Sequence, residues 1–159
     1  MRQLVTKSLA IEEIDQAFPL VQATLPQVGL DQWRRFAQSQ IRTRKPRVSG
    51  IQSVLAEQKY IAGLSIYRIE QDLCHGPALI ADHFMALDLF DRTAVIHALA
   101  EFLENLGRQR GCTAVHTQVR DRAGRWQGPP TSMIAILRER GHGIESMRLC
   151  KLIGEASSG

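Results

Sequence analysis

The chain is predicted to adopt an α+β fold, in which helices flank one mixed β-sheet. In its first half, segments rich in Val, Ile, Leu and Tyr are joined by short turns, as in antiparallel strands. A strand–helix–strand unit follows, and such a unit connects parallel strands. Helical periodicity occupies the remaining segments, which gives the order β-α-α-β-β-β-α-β-α-β.

The first predicted elements are a short strand at 4–9 and two helices. Apolar residues recur at helical spacing over 11–21, and two acidic residues near its start favour the positive end of a helix dipole. Pro26 ends this helix. A second helix begins at Leu30 and carries apolar residues on one side as far as Ile41.

The central part of the chain predicts three strands and a long helix. Apolar segments at 52–58 and 60–70 are close enough in sequence to form an antiparallel hairpin. A strand at 77–87 follows a Cys-His-Gly-Pro turn. A strongly amphipathic helix then runs to a stop near Gly111.

The last part of the chain predicts two strands, a loop and a short helix. A strand at 113–119 leads into a polar loop at 120–130, which contains glycines and prolines. A helix at 131–140 and a final strand at 146–153 complete the sheet.

Length and composition indicate one domain, spanning 1–154, with a flexible tail at 155–159. The chain has 159 residues, of which 44% are hydrophobic, so it is long enough to bury a core. No apolar run is long enough to cross a membrane. The three cysteines are widely spaced and predict neither disulfides nor a metal site, and a reducing cytoplasm is the expected location.

The net charge of +4 is unevenly distributed. Between positions 34 and 47 the chain carries six basic residues with no acidic residue among them. One interpretation is a solvated helix face. The other is attraction of an anion, such as a nucleotide-bearing cofactor, an acidic substrate or nucleic acid.

The segment at 76–119 carries the strongest functional signal. A strand that leads directly into a helix presents unpaired backbone N–H groups at the positive end of the helix dipole. Such a helix start is a suitable site for the phosphates of a cofactor.

Three segments in this order resemble parts of the GNAT N-acyltransferase superfamily. Residues 60–64 are similar to its third strand, where apolar residues flank a glycine. Residues 85–96 occupy the place where its fourth strand enters the pyrophosphate loop. Residues 136–142 occupy the place of a helix that ends just before the final strand. The resemblance covers nearly the whole chain and implies a GNAT-like domain at 1–154.

The resemblance implies an acyl-CoA site with a degenerate loop. The family pattern Arg/Gln-x-x-Gly-x-Gly/Ala can be placed here from Asp91 or from Arg92, and neither placement keeps both glycines. Glycines let the backbone approach a diphosphate closely, so side chains at Val95 and Ile96 would narrow the site if they faced it. The implied acetyl-CoA contacts are Ala86 and Leu87 for the pantetheine arm and Arg92, Thr93, Ala94, Val95 and Ile96 for the diphosphate.

The implied catalytic groups depart further from the family. The tyrosine that often protonates the leaving thiolate is replaced by Leu137, which cannot donate a proton. Candidates for the general base are Asp82, His83 and His116. Strict strand alternation would place Asp82 and His83 on opposite faces of the sheet. Trp33 and Trp126 are either core residues or part of an acceptor pocket.

Two functions follow from the resemblance. The first is an N-acyltransferase that moves an acetyl group from acetyl-CoA to an amine acceptor. The second is a catalytically inactive module of the same fold that binds CoA, another anionic ligand or nucleic acid. A homodimer is a further expectation, since dimers are common in the family.

Overall fold

The computed structural model describes residues 3–43, 45, 47–87, 91–120 and 132–154. The strands are β1 (Leu4–Ser8), β2 (Ser49–Ala56), β3 (Tyr60–Asp72), β4 (Gly76–Ala86) and β5 (Ala114–Thr117). The helices are α1 (Ile14–Thr24), α2 (Leu30–Ile41), α3 (Arg92–Gln109) and α4 (Met133–Glu139), with a 3-10 turn at Ile11–Glu13 before α1. The predicted α+β fold is confirmed, with the predicted order as far as α4.

The five strands form one mixed sheet in the order β1-β2-β3-β4-β5. The first four strands are antiparallel neighbours, and β5 joins β4 in parallel through α3. The β2–β3 hairpin turns at Glu57 and Gln58, which both have positive φ, as a type I′ turn requires. This turn confirms the hairpin predicted from the two neighbouring apolar segments.

The sheet separates two hydrophobic cores. On one face α3 and α4 pack against buried sheet residues such as Leu79 and Ala81. On the other face α1 and α2 cover Ile51 and Leu64. Trp33 lies in this second core, where it is 2% exposed and its indole nitrogen donates to the Ile14 carbonyl at 2.7 Å. Of its two predicted roles, the structure therefore supports the core role.

The predicted final strand is wrong. Residues 142–154 lie in neither a helix nor a strand, and most of their apolar side chains face solvent, with Met147, Leu149 and Ile153 at least 85% exposed. A strand needs a hydrogen-bonded neighbour, and within the described chain this segment meets the sheet through side chains, for example from Arg148 to Gln118 at 3.2 Å. The predicted tail at 155–159 lies outside the described residues.

A polar cluster ties α4 to α3. The Glu104 carboxylate of α3 accepts hydrogen bonds from the Arg140 guanidinium. A ring nitrogen of His142, Nε2, lies 3.1 Å from the same carboxylate. Burial alone would raise the pKa of Glu104, but these two partners hold it below its usual value. The C-terminal end of α4 is thereby fixed beside the sheet. Among the described residues, no helix is both long and apolar enough to cross a membrane.

Gly63 of β3 allows the N-terminal part of α3 to pack closely on the sheet. Val95 is fully buried, and a Cβ atom placed on Gly63 would lie 2.8 Å from its Cγ1 atom. Such a distance is too short for a carbon–carbon contact. The first turns of α3, and thus the position of its N-terminus, depend on this missing side chain.

The substitution Gly63→Ala is expected to lower the free energy of unfolding by about 1–3 kcal/mol, because the added methyl group overpacks the core. Chemical denaturation followed by circular dichroism would measure this change. Gly143→Ala is a matched control, since nothing lies within 4 Å of its added Cβ. Adding Val95→Ala to Gly63→Ala should restore part of the loss, and equal effects of Gly63→Ala and the control would contradict the packing argument.

Candidate active site

A cleft opens where β4 and β5 part. Among the residues that the structure describes, the last backbone bonds between them run from Gln118 to the Ala81 carbonyl at 2.9 Å and from Phe84 to the Gln118 carbonyl at 3.4 Å. Further along β4, Leu87 donates instead to the Ala62 carbonyl of β3 at 2.8 Å. Because successive residues of a strand face opposite neighbours, the N–H and C=O groups of Ala86 point towards the cleft.

A β-bulge in β4 lies directly before this opening. Ser65 of β3 faces two residues of β4, His83 and Phe84, because the register shifts between Asp82 and Met85. His83 takes a left-handed conformation with a φ of 49°. The Ser65 hydroxyl donates to the Asp82 carbonyl at 3.1 Å and helps to hold the bulge.

The His83 imidazole lies in a small apolar recess on the α1–α2 side of the sheet. Its ring meets the Phe36 ring edge-on, with the centroids 5.9 Å apart. Its Nδ1 atom is buried and has no hydrogen-bond partner among the described residues. Burial lowers the pKa of His83, the nearby charges of Arg120 and Arg148 lower it further, and Asp82 opposes them. The lowered pKa favours the neutral form of the ring, which can accept a proton.

The bulge overturns the expectation that Asp82 and His83 lie on opposite faces. Asp82 pairs with Ile66, whose side chain is part of the α1–α2 core, and the His83 ring packs on Phe36 of α2. One extra residue in β4 breaks the alternation at this point. The Asp82 carboxylate forms an ion pair with Arg68, so it is already engaged.

His116, the third candidate base, is directed elsewhere. It pairs with Ile80 in the β4–β5 ladder, well before the cleft. Its ring lies edge-on to His75 at 5.4 Å, and its Nε2 atom is 3.5 Å from Glu145. The structure thus brings Asp82 and His83 together at the bulge and leaves His116 with other partners.

The N-terminus of α3 borders the cleft and is capped by an acid. The Asp91 carboxylate accepts the N–H of Ala94 at 3.0 Å. The Arg92 side chain turns back to donate to the Ala86 carbonyl at 3.0 Å, at the mouth of the cleft. The N–H groups of Arg92 and Thr93 lie in the first turn of α3, where backbone donors have no partner within the helix.

Val95 and Ile96 do not narrow this site. Both side chains are fully buried in the core between α3 and the sheet. They begin the apolar stripe of the helix, and their side chains therefore point away from its N-terminal end. Residues 88–90, which precede the cap, lie outside the described part of the chain, as does Trp126.

Two further positions limit the chemistry. Leu137, at the place of the family's tyrosine, is buried against α3 in the core. Burial raises the pKa of the Cys112 thiol, which keeps it protonated at neutral pH. These two positions therefore supply neither a tyrosine acid nor an activated thiol nucleophile.

Sequence reasoning missed the Asp91 cap, the Phe36 contact and the bulge. The cap had a signal, since Asp is among the preferred residues just before a helix start. The bulge had a weaker one, the polar pair Asp82-His83 inside an apolar strand. No pattern in the sequence indicated that Phe36 of α2 would reach the end of β4.

Comparison with solved structures identifies the fold. The chain superimposes on the aminoglycoside N-acetyltransferase AAC(6')-Iy in complex with CoA with a TM-score of 0.69 and 12% identity, over 98% of this chain and 96% of the other. With glucosamine-6-phosphate N-acetyltransferase from Arabidopsis thaliana the TM-score is 0.66 and the identity 17%, over 95% of this chain and 99% of the other. With the aminoglycoside 6'-N-acetyltransferase AAC(6')-Ih from Acinetobacter baumannii the TM-score is 0.68 and the identity 12%, over 98% of this chain and 100% of the other.

The chain therefore has the fold of the GNAT superfamily, as its sequence resemblance implied. No protein-family model matches the sequence, and comparison with curated protein sequences gives no match. At these identities the likeness concerns the fold. The chemistry has to be argued from the residues of this chain.

The His83 ring is expected to titrate below pH 6.5, because burial and two arginines disfavour its charged form. The substitution Arg120→Gln should move its midpoint upwards by removing one of these charges. Arg34→Gln is the control, since Arg34 is paired with Asp15 of α1. Histidine-ring NMR shifts followed against pH would measure the midpoints, and a His83 midpoint above 6.5 would contradict the burial argument.

Proposed function

We propose that this protein is an N-acyltransferase that transfers an acetyl group from acetyl-CoA to an amine. The observation that carries the proposal is the cleft between β4 and β5, with the start of α3 at its mouth and a neutral imidazole at the bulge beside it. The GNAT fold is consistent with this assignment. The acceptor is proposed only as a primary amine.

The residues that border the cleft offer groups that suit an acyl-CoA and one group, a carboxylate, that opposes it. The Ala86 N–H group can bond the pantetheine arm as an added strand would, while its carbonyl is engaged by Arg92. The N–H groups of Arg92 and Thr93 face the position of the diphosphate, and the Arg92 charge favours it. The opposing group is the Asp91 carboxylate, which accepts the Ala94 N–H and repels a second anion.

His83 is proposed as the general base. The amine nitrogen attacks the thioester carbonyl, a C–N bond forms, the C–S bond breaks and CoA leaves as a thiolate. The proton lost by the amine passes to the imidazole of His83, directly or through one water. Since Leu137 cannot protonate the thiolate, the thiolate takes its proton from solvent, and positioning of the two reactants supplies much of the rate.

Measurements of CoA binding and of acetyl transfer test the two parts of this proposal separately. Calorimetry with CoA and acetyl-CoA is expected to give one site per chain, and no heat at about 1 mM ligand would exclude the acyltransferase. Transfer of radiolabelled acetyl groups to a panel of amines would detect turnover. A thiol-release assay is unsuitable because Cys74 and Cys150 are exposed.

The substitution His83→Gln is expected to reduce turnover by about 10²–10⁴-fold, because the amine loses its proton acceptor. CoA affinity should stay unchanged, since the imidazole packs on Phe36 of α2 and is not among the groups proposed to hold CoA. Calorimetry and the acetyl-transfer assay would measure both quantities. Equal activity of His83→Gln and the wild type would remove His83 from the mechanism.

The substitution Asp91→Asn is expected to tighten CoA binding by about tenfold, because it removes a negative charge beside the diphosphate position. Asn is as good a helix cap as Asp, so α3 keeps its start. Glu101→Gln on the exposed side of the same helix is the control. An unchanged affinity in Asp91→Asn would contradict the proposed diphosphate position.

The Asp91 cap also supports a second candidate, a catalytically inactive module of the same fold. Its carboxylate opposes a diphosphate, and Leu137 removes the proton donor. CoA binding without turnover on any amine would favour this candidate. A nucleic-acid role is less well supported, because Arg34 in the basic segment is paired with Asp15 through two contacts of 2.8 Å.

A further inference from the structure

A cluster of histidines and carboxylates lies at the other end of β4 from the cleft. Asp72 is the last residue of β3, His75 lies in the β3–β4 turn and His116 comes from β5. The oxygen and nitrogen atoms that these three residues offer all lie within 4.8 Å of one another. The Asp72 carboxylate is oriented by the N–H groups of Cys74 and His75, at 3.0 and 2.9 Å.

Glu145 from the C-terminal segment brings a second carboxylate to the cluster. One of its oxygens lies 2.5 Å from Nε2 of His75, and the other lies 3.5 Å from Nε2 of His116. Both imidazoles therefore direct the same nitrogen towards one carboxylate. The Nε2 atom of His116 is buried and has no hydrogen-bond partner among the described residues. A buried polar atom without a partner is costly.

From this convergence we propose that Asp72, His75, His116 and Glu145 bind a divalent transition-metal ion of the zinc class. Two imidazole nitrogens favour such an ion over magnesium or calcium, which prefer oxygen ligands. Zinc–nitrogen bonds of about 2.0–2.1 Å require the donors of Asp72, His75 and His116 to move closer together and Glu145 to rotate towards them. Glu145 can make that rotation because its side chain is 56% exposed.

The metal would be structural rather than catalytic. Four protein ligands fill a tetrahedral site and leave no position for substrate. The site joins the β3–β4 turn, β5 and the segment at 142–154, which among the described residues has no strand partner. Binding would thus anchor that segment to the sheet. The proposal stands apart from the acyltransferase proposal and gives His116 a role other than the base.

The untagged full chain, freed of metal by a chelator, would be titrated with Zn²⁺ by calorimetry and with Co²⁺ by visible absorption. One Zn²⁺ per chain with a dissociation constant of about 1 μM or lower, and the absorption of tetrahedral Co²⁺, are expected. His75→Ala and Glu145→Gln should each weaken binding by at least about tenfold. His97→Ala on α3 is the matched control and should bind as the wild type does.

Two outcomes would overturn the proposal. One is the absence of binding at about 1 mM Zn²⁺. The other is binding that survives His75→Ala but is lost when Cys74, Cys112 and Cys150 are replaced by Ser, which would assign the metal to the thiolates. Circular dichroism of each variant checks that it folds.

A second measurement tests the anchoring without any substitution. Zn²⁺ should slow tryptic cleavage after Arg148 and Lys151 by about tenfold, because the protease cuts the open form of a segment. Cleavage after Arg42, far along the chain in the α2 region, serves as the reference. Equal rates at Arg148 with and without Zn²⁺ would overturn the anchoring role.

Discussion

The extra residue in β4 at His83 is the constraint on which the cleft depends. It shifts the register of the strand against β3. Phe84 still reaches the Gln118 carbonyl, and Leu87 bonds to β3. The left-handed backbone at His83 costs on the order of 1–3 kcal/mol, which neighbouring contacts must offset. Ser65 supplies one such contact through the Asp82 carbonyl, and Phe36 packs against the ring. Opening of the sheet and placement of the imidazole are thus two consequences of one backbone irregularity.

The absence of glycines at the start of α3 changes less than the sequence indicated. Glycine in such a loop provides close approach, whereas donation comes from the N–H groups, which every residue except proline has. Val95 and Ile96 lie on the core side of the helix, and the glycine that matters for their packing is Gly63 in the neighbouring strand. The more serious obstacle to a diphosphate is the charge on Asp91, because it stabilises the helix by the same interaction that an anion would use.

Sequence patterns predicted the elements well as far as α4, because periodicity of 2 or 3.6 reports which side chains meet a core. The same reasoning failed at 146–153, where alternation alone could not supply the hydrogen-bonded neighbour that a strand needs. In the candidate site, the segments around Ala86 and Arg92 lie next to each other beside the end of β4, and their contacts with acetyl-CoA stay a prediction. Side-chain directions could not be predicted there. A one-residue bulge places Asp82 and His83 on the same face of the sheet without changing the hydrophobic pattern.

The end of the chain and the candidate base are coupled through charge. Arg148 lies in the segment at 142–154, and its charge contributes to the lowered pKa of His83. In the described structure that segment contacts the sheet through His142, Glu145 and the bond from Arg148 to Gln118. When the segment moves away, one of the charges that keep the imidazole neutral moves with it. The proton affinity of the His83 imidazole therefore depends in part on how the segment at 142–154 is held.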